Sequence, residues 1–385
     1  MLANIILLLL GLAFIFVALE VWALRTPNIN VDKGVSTSGE QKIEAVNRWF
    51  DALDDAGRFN GAILFAKDGD ILLERSFGRV AAFGTEPFST RASFNLASVS
   101  KHMTGFAILK LAYEKKLSRT DHITKYLPEL GAYEGITIDH LLYHSSGIPD
   151  YLRMSKSRMK PVEIFTADMF IRWLSVGDEP AQFKPGEKEV YSNSGYVLLA
   201  EIISRVSGQT YADYMREMIF GPLGMHDTYV VNQFTNQKKL HQRVYGFKKR
   251  WIYFGEPVVH DLNHLDGAAG DGNIYSSARD LLKWDKALRD GMRLPVDYYA
   301  TAYKPMALQD GTFPKRRGEI AAWGIGWGVN ADASTVYADG CWQGFNSHII
   351  RGLEQGTTLI VLSNAGFLLR TVRISDKLFK AMDGI

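Results

Sequence analysis

The chain has 385 residues, enough to bury a large core, and its 46% hydrophobic and 22% charged residues give a globular rather than a disordered balance. Lys plus Arg number 44 against 42 Asp plus Glu, a net charge of +2, so there is no basic field to hold nucleic acid and no such partner is expected. A single cysteine, Cys341, excludes an intramolecular disulfide framework and a cysteine zinc cluster.

From Leu2 to Leu24 the chain is almost wholly apolar, with Asn4 and Glu20 as the polar interruptions and Arg25 closing the run. A spanning helix needs roughly 20 apolar residues, and Trp22 and Arg25 suit an anchor at the membrane surface. A cleaved signal peptide is the rival reading. Its charged n-region is missing apart from the terminal amine, and Val21-Trp22-Ala23 fits a cleavage site loosely. The expectation is an uncleaved transmembrane anchor over 1–25, a linker over 26–40 and one large unit over 41–385.

Within that unit, Ile43 to Ala56 reads as an amphipathic helix. Gly61 to Ala66 and Ile71 to Phe77 read as strands, and the Asp-Gly of Lys67-Asp68-Gly69-Asp70 suits a tight hairpin. Val99 to Tyr113 reads as a buried helix. The middle, about 127–294, is rich in helices and long loops. Ile325 to Val329, His348 to Arg351 and Thr358 to Leu362 read as short strands, and Arg370 to Met382 as a last helix. Strands at both ends predict an α/β (α+β) fold: one mixed antiparallel sheet completed by both ends of the chain, flanked by helices, with a mostly helical insertion.

Chemistry begins at Asn95-Leu96-Ala97-Ser98-Val99-Ser100-Lys101. At the start of a helix, Ser98 and Lys101 fall on one face, bringing an amine to a hydroxyl that is a weak nucleophile until its proton is taken. An N-capping serine is the plain alternative. A second Ser-x-x-Lys, Ser157 and Lys160, precedes Pro161 with no apolar helix behind it and is taken as chance. Tyr191-Ser192-Asn193 precedes an apolar helix from Tyr196 through Ile203. Its tyrosine suits a base and its asparagine a substrate amide contact. Ala338-Asp339-Gly340-Cys341-Trp342-Gln343-Gly344-Phe345 is a glycine-rich segment leading into a strand.

Several features read as structural. His140 and His144 stand four apart on an expected helix, and His260 and His264 share that spacing, but neither pair has a zincin glutamate. Gly267 to Gly272 does not join a strand to a helix as a nucleotide loop would; it is expected to line the catalytic cleft. Lys248-Lys249-Arg250, followed by Trp251, Tyr253 and Phe254, reads as a solvated loop with an aromatic anchor, the sharper alternative being a membrane-surface contact.

Together Ser98-x-x-Lys101, Tyr191-x-Asn193 and the segment from Ala338 resemble the serine β-lactamase-related superfamily, in the branch of class C β-lactamases, D-alanyl-D-alanine carboxypeptidases and related esterases. Further matching stretches are Leu141-Leu142-Tyr143-His144-Ser145-Ser146-Gly147-Ile148-Pro149, Pro222-Leu223-Gly224-Met225, Gly272-Asn273-Ile274-Tyr275-Ser276 and Trp323-Gly324-Ile325-Gly326-Trp327. The resemblance implies a β-lactamase/transpeptidase-like fold, Ser98 as the acylated nucleophile, Lys101 as its partner and Tyr191 as the base or proton shuttle. It also implies substrate contacts from Asn193, Asp339 and Gly340, an oxyanion hole from the backbone N–H groups of Ser98 and Cys341, and neither metal nor organic cofactor. One departure stands out. The third motif of such proteins opens with Lys or His, and here that position is Ala338. A cation that would favour the tyrosinate and receive a substrate carboxylate is missing, and Asp339 has the wrong charge to replace it.

The expected protein is a membrane-tethered serine hydrolase acting through an acyl-enzyme on a small ester, amide or D-amino-acid peptide, with its catalytic domain on the exported (periplasmic or extracellular) side. Its partners would be that substrate and the membrane. A second reading, motivated by Ala338, is a catalytically weakened accessory or structural subunit of a membrane protein complex.

Overall fold

The computed structural model describes residues 38–83, 87–235, 242–251, 254–314, 322–366 and 371–382, together with 11, 14, 15 and 240. The expected anchor and nearly all of the linker lie outside the described residues. Among those described, no helix is long and apolar enough to cross a membrane.

Helix α1, Gly39–Asp55, starts where Ser38 and Gln41 cap each other. The Gln41 N–H donates to Ser38 Oγ at 3.3 Å and the Ser38 N–H donates to Gln41 Oε1 at 3.0 Å. Strands β1 (Gly61–Lys67) and β2 (Asp70–Phe77) form the expected hairpin, turning at Asp68 and Gly69, both at positive φ. The long middle of the chain contributes five short strands: β3 Phe94–Asn95, β4 Tyr229–Val230, β5 Phe247–Trp251, β6 Phe254–Val259 and β7 Ile274–Ser276. It also supplies many of the helices, among them α2 Ser100–Tyr113, α3 Ile138–Leu142, α4 Tyr151–Arg158, α5 Asn193–Ser207 and α6 Ala278–Arg289. The C-terminal part adds β8 Ala322–Trp323, β9 Gly328–Val329, β10 Thr335–Trp342, β11 Phe345–Gly352, β12 Thr357–Ser363 and helix α7, Thr371–Ala381.

The main sheet has seven strands in the order β2-β1-β12-β11-β10-β9-β8. Every pairing in it is antiparallel, the pairing expected of the sheet. The reason is connectivity: strands adjacent in sequence are joined by short turns, which admit only antiparallel partners. Both chain ends do complete the sheet, because β12 returns to lie against β1 with Gly61 opposite Ser363.

Strands β1 and β12 read as unbroken apolar runs because both faces are covered. Ile63 and Phe65 of β1 face a smaller core with Trp49 and Phe50 of α1 and Ile374 and Leu378 of α7. Ala62, Leu64 and Ala66 face the larger core, which holds α2, α5 and α6. The single strand expected over Ile325 to Val329 is instead two short strands around a bend. Gly326 sits there at φ +71, and a β-carbon would come within 2.4 Å of His102 Cα, so the chain crosses directly over α2.

Beneath β11, Asp285 of α6 accepts from Arg289 Nε at 2.9 Å and from Arg351 Nε, and Arg351 also meets the Tyr303 hydroxyl. Burial pushes the Asp285 carboxyl up, but the two arginines outweigh it and hold it below the usual carboxylate range. Removing one member strands the others' charge in the core, so Asp285→Ala should cost about 3–5 kcal/mol in denaturant unfolding. Glu44→Ala, which breaks the exposed pair with Arg48 on α1, should change stability by less than about 0.5 kcal/mol. Equal, small losses would mean the buried triad is not holding β11 to α6.

Candidate active site

Strand β3 leads into a tight turn. Ala97 sits at φ +48, a left-handed conformation that costs a residue with a β-carbon, and its N–H donates to Asn95 Oδ1 at 2.8 Å. Ser98 is the middle residue of the 3₁₀ turn Ala97–Val99, just ahead of α2. The capping alternative is ruled out: the N-cap of α2 is Val99, and no side chain caps it. The Ser98 Oγ instead accepts from Lys101 Nζ at 3.0 Å. Lys101 is 2% exposed, and its Nζ also donates to the Asp271 carbonyl at 2.6 Å. The other Ser-x-x-Lys is no such pair, since Ser157 donates to Met154 O within α4 and Lys160 lies beyond the end of that helix.

The glycine-rich loop before β7 is stapled to α2, as a cleft-lining loop must be. Besides the Lys101 bond, Thr104 Oγ1 donates to Gly270 O at 2.7 Å and the Ile274 N–H donates to Ser100 Oγ at 3.2 Å. Gly270, at φ +106, leaves no room for a side chain: a β-carbon would lie 2.4 Å from Tyr196 O. This loop carries two carboxylates that sequence patterning did not single out. Asp271 Oδ2 accepts from the Tyr151 hydroxyl at 2.9 Å; burial pushes this carboxyl up, with Lys101 opposing. Asp266 accepts from Trp342 Nε1 at 2.7 Å and from the Asn263 N–H at 2.6 Å. Burial pushes it up to about 6, and Asp271 adds to the rise against the pull of its hydrogen bonds. The available signal was an aspartate enclosed by glycines in a segment already assigned to the cleft.

Tyr191 and Asn193 reach the same place. Ser192 caps α5 by accepting from the Gly195 N–H at 3.1 Å, which sets Asn193 as the first helical residue and Tyr191 just outside it. Lys101 Nζ lies 5.0 Å from the centre of the Tyr191 ring, and Tyr191 keeps 38% of its surface exposed. His144 is more than the structural histidine expected. Helix α3 stops at Leu142, so His144 does not share a helix face with His140; it sits beyond the helix at φ +56. Its ring packs on Tyr191 at 4.6 Å and on Trp323 at 5.7 Å, and its Nδ1 accepts from the Ser192 N–H at 3.1 Å. Burial and the nearby Lys101 push its pKa down to about 3, so the ring stays neutral with its proton on Nε2. His140 is local: its Nδ1 accepts from the Thr137 N–H at 3.0 Å. His260 and His264 lie in the coil after β6, not on a helix.

The third segment is a strand, β10, that patterning did not identify. Strand β9 pairs only with Val336 and Tyr337, so from Ala338 onward the outer edge of β10 faces the Ser98 turn instead of another strand. The approach is close. A β-carbon on Gly340 would come within 2.2 Å of Leu96 O and 2.9 Å of Ser98 N, which restricts the position to glycine. Asp339 and Cys341 line the cavity on either side of it. Ala338 is buried beside a void of about 10 Å³ bounded also by Lys101, His144 and Tyr191, where the longer cationic side chain of the related motif would project. Lys248 and Lys249, on the β5–β6 hairpin, do not line the cavity and so do not supply that cation. The structure thus brings Ser98, Tyr191, Asn193, Asp339 and Cys341 to one cavity of about 510 Å³, with Lys101 and Ala338 on the small adjoining void and Gly340 against the Ser98 turn.

A family model described as Beta-lactamase matches residues 46–375. The chain belongs to the Beta-lactamase family. Within the serine β-lactamase/transpeptidase superfamily it is 32% identical to penicillin-binding protein 4* of Bacillus subtilis (strain 168), over 84% of this chain and 72% of that protein. The D-amino acid amidase of Ochrobactrum anthropi, solved with D-phenylalanine, superposes with a TM-score of 0.71 at 25% identity, covering 90% of this chain and 99% of the amidase. The octameric penicillin-binding protein homologue of Pyrococcus abyssi gives 0.72 at 25% identity, over 88% and 78% of the two chains. FmtA of Staphylococcus aureus, at 19% identity and a TM-score of 0.71, shares the fold over 92% of this chain and 90% of its own.

The raised pKa of Asp266 has a consequence for stability. Its folded value lies above the unfolded one, so the folded state favours the protonated carboxyl, and stability falls as the pH rises through about 6. Measured relative to Asp266→Asn, the wild-type melting temperature should therefore decline from pH 4 to pH 7. A pH-independent difference would contradict the environment described for Asp266.

Proposed function

We propose that this Beta-lactamase family member is a membrane-tethered serine hydrolase that works through an acyl-enzyme, with its catalytic face on the exported side of the membrane. The observation that carries the reading is the 3.0 Å contact between the Lys101 amine and the Ser98 hydroxyl at the mouth of the cavity. Ser98 Oγ attacks the acyl carbonyl carbon, and its proton passes to the Lys101 amine and Tyr191. The oxyanion is held by the N–H groups of Ser98 and Cys341, a type of donor worth ~3 kcal/mol of barrier each. When the carbon–oxygen or carbon–nitrogen bond breaks, that proton goes to the leaving group. Water then attacks the acyl-serine ester, giving up one proton to the same pair, and the acid leaves as Ser98 regains its hydrogen.

In this reading Asn193, at the start of α5, meets a substrate amide, and Asp339 and Gly340, on β10, meet the acyl chain. The substrate class is a small ester, amide or D-amino-acid peptide, consistent with the D-amino acid amidase among the similar structures. The apolar run from Leu2 to Leu24 supports the tether. The presence of Ala338 favours the second reading, a catalytically weakened accessory subunit at the membrane.

One experiment separates the two. Cells expressing the full chain are treated with a fluorophosphonate probe, then fractionated. The hydrolase reading expects a labelled band in the membrane fraction that external protease removes, lost in Ser98→Ala and slowed ~10²–10⁴-fold in Lys101→Ala. A folded protein that does not label supports the accessory reading. A labelled band that is soluble and begins near Leu24 removes the tether.

A further inference from the structure

The cavity beside Ser98 is electrostatically one-sided. Its charged lining side chains are Asp266, Asp271 and Asp339, and no described Lys, Arg or His side chain lines it. The hydrogen bonds to Asp266 come from neutral groups, the Trp342 indole and the Asn263 amide, so they orient the carboxylate without neutralising it. Asp271 is likewise oriented by the Tyr151 hydroxyl, and Lys101 meets that residue through its backbone carbonyl, turned toward Ser98. The remaining walls are rich in aromatic side chains, from Tyr151, Tyr191, Trp323, Tyr337 and Trp342. At the one position where a cation would receive a substrate carboxylate, the side chain is the methyl group of Ala338.

A carboxylate entering this space meets like charges in a partly desolvated cleft and finds no ion partner among the described residues that line it, which is costly. An ammonium finds oriented carboxylates and the negative faces of aromatic rings. We propose that this site takes acyl donors bearing a free ammonium group, esters or amides of amino acids with an unblocked amine, in preference to carboxylate-bearing ones, and that Asp266 and Asp339 determine that preference. The proposal rests on the acyl-enzyme reading above and narrows its substrate class. It adds no step to that reaction: the acyl carbon still transfers from its alcohol or amine to Ser98 and then to water, and the ammonium is only held.

The test uses purified full-length protein and three benzyl esters, of alanine, N-acetylalanine and N-succinylalanine, each in the D and L forms, with benzyl alcohol release measured at pH 7. The expected result is that kcat/KM for at least one free-amine ester exceeds that of its N-acetyl counterpart tenfold or more, with the succinyl ester slowest. The ratio of free-amine to N-acetyl rates should drop about tenfold in Asp266→Asn. In Asp339→Asn, at an exposed position, it should fall in the same direction. N-acetyl or succinyl esters turned over as well as the free amine, or a ratio unchanged in both variants, would overturn the proposal. Fluorophosphonate labelling run in parallel separates the two levels: a labelled Ser98 without the ammonium preference defeats this inference alone, whereas an unlabelled Ser98 in folded protein defeats the reading beneath it as well.

Discussion

The buried amine of Lys101 is the constraint on which the rest of the site depends. Two of its hydrogen bonds join parts of the chain 170 residues apart, the Ser98 turn and the loop that carries Asp271. The faces of Tyr191 and Tyr196, at 5.0 and 5.7 Å, enclose it. An amine with 2% exposure must find acceptors or be expelled, so the surrounding backbone is held where the acceptors are needed. Three residues with β-carbons sit nearby in left-handed conformations: Ala97, His144 and Asn273. Strain of this kind costs ~1–3 kcal/mol per residue and persists when the packing around it leaves no alternative. Here that packing consists of β10 pressed on the turn at Gly340 and the glycine-rich loop pressed on α5 at Gly270.

The main sheet supplies the rigidity for this arrangement. Strand β10 is held on one side by β11 along its whole length and on the other by β9 only as far as Tyr337. Its last residues are therefore fixed and yet have an open edge, which is the geometry needed to present backbone N–H groups to a reacting carbonyl. The buried Asp285–Arg351–Arg289 cluster ties β11 to α6 behind it, and neutral His102, with its pKa pushed down to about 3 by burial, stacks on Trp327 at 4.2 Å beneath the Ser98 turn.

Much of this was legible in the sequence where local chemistry and tertiary structure agree. The apolar runs of β1 and β12, the Asp68-Gly69 turn and the three-residue spacing of Ser98 and Lys101 each specify their outcome within a few residues. What could not be read depends on distant partners. Strand β10 has no apolar alternation beyond Val336 and Ala338, because its other positions serve the cavity. Strands β3, β4 and β7 are two or three residues long and exist only because Asn95 and Tyr229 both align on Tyr275. His144 looked like half of a helical pair until α3 ended at Leu142, and Asp266 and Asp271 carry no periodic signal. Ala338 was legible as a departure. Its meaning came only with the three aspartates that line the cavity, Asp266, Asp271 and Asp339.

The proposed function requires the Ser98 turn and the β10 edge to form one acyl-transfer centre. A crystal structure of the fluorophosphonate-treated protein tests it most directly. The expected result is phosphorus bonded to Ser98 Oγ, one phosphonyl oxygen about 3 Å from the N–H groups of both Ser98 and Cys341, and Lys101 still hydrogen-bonded to the Asp271 carbonyl. Phosphorus on another residue, or a phosphonyl oxygen turned away from Cys341 toward solvent, would contradict it.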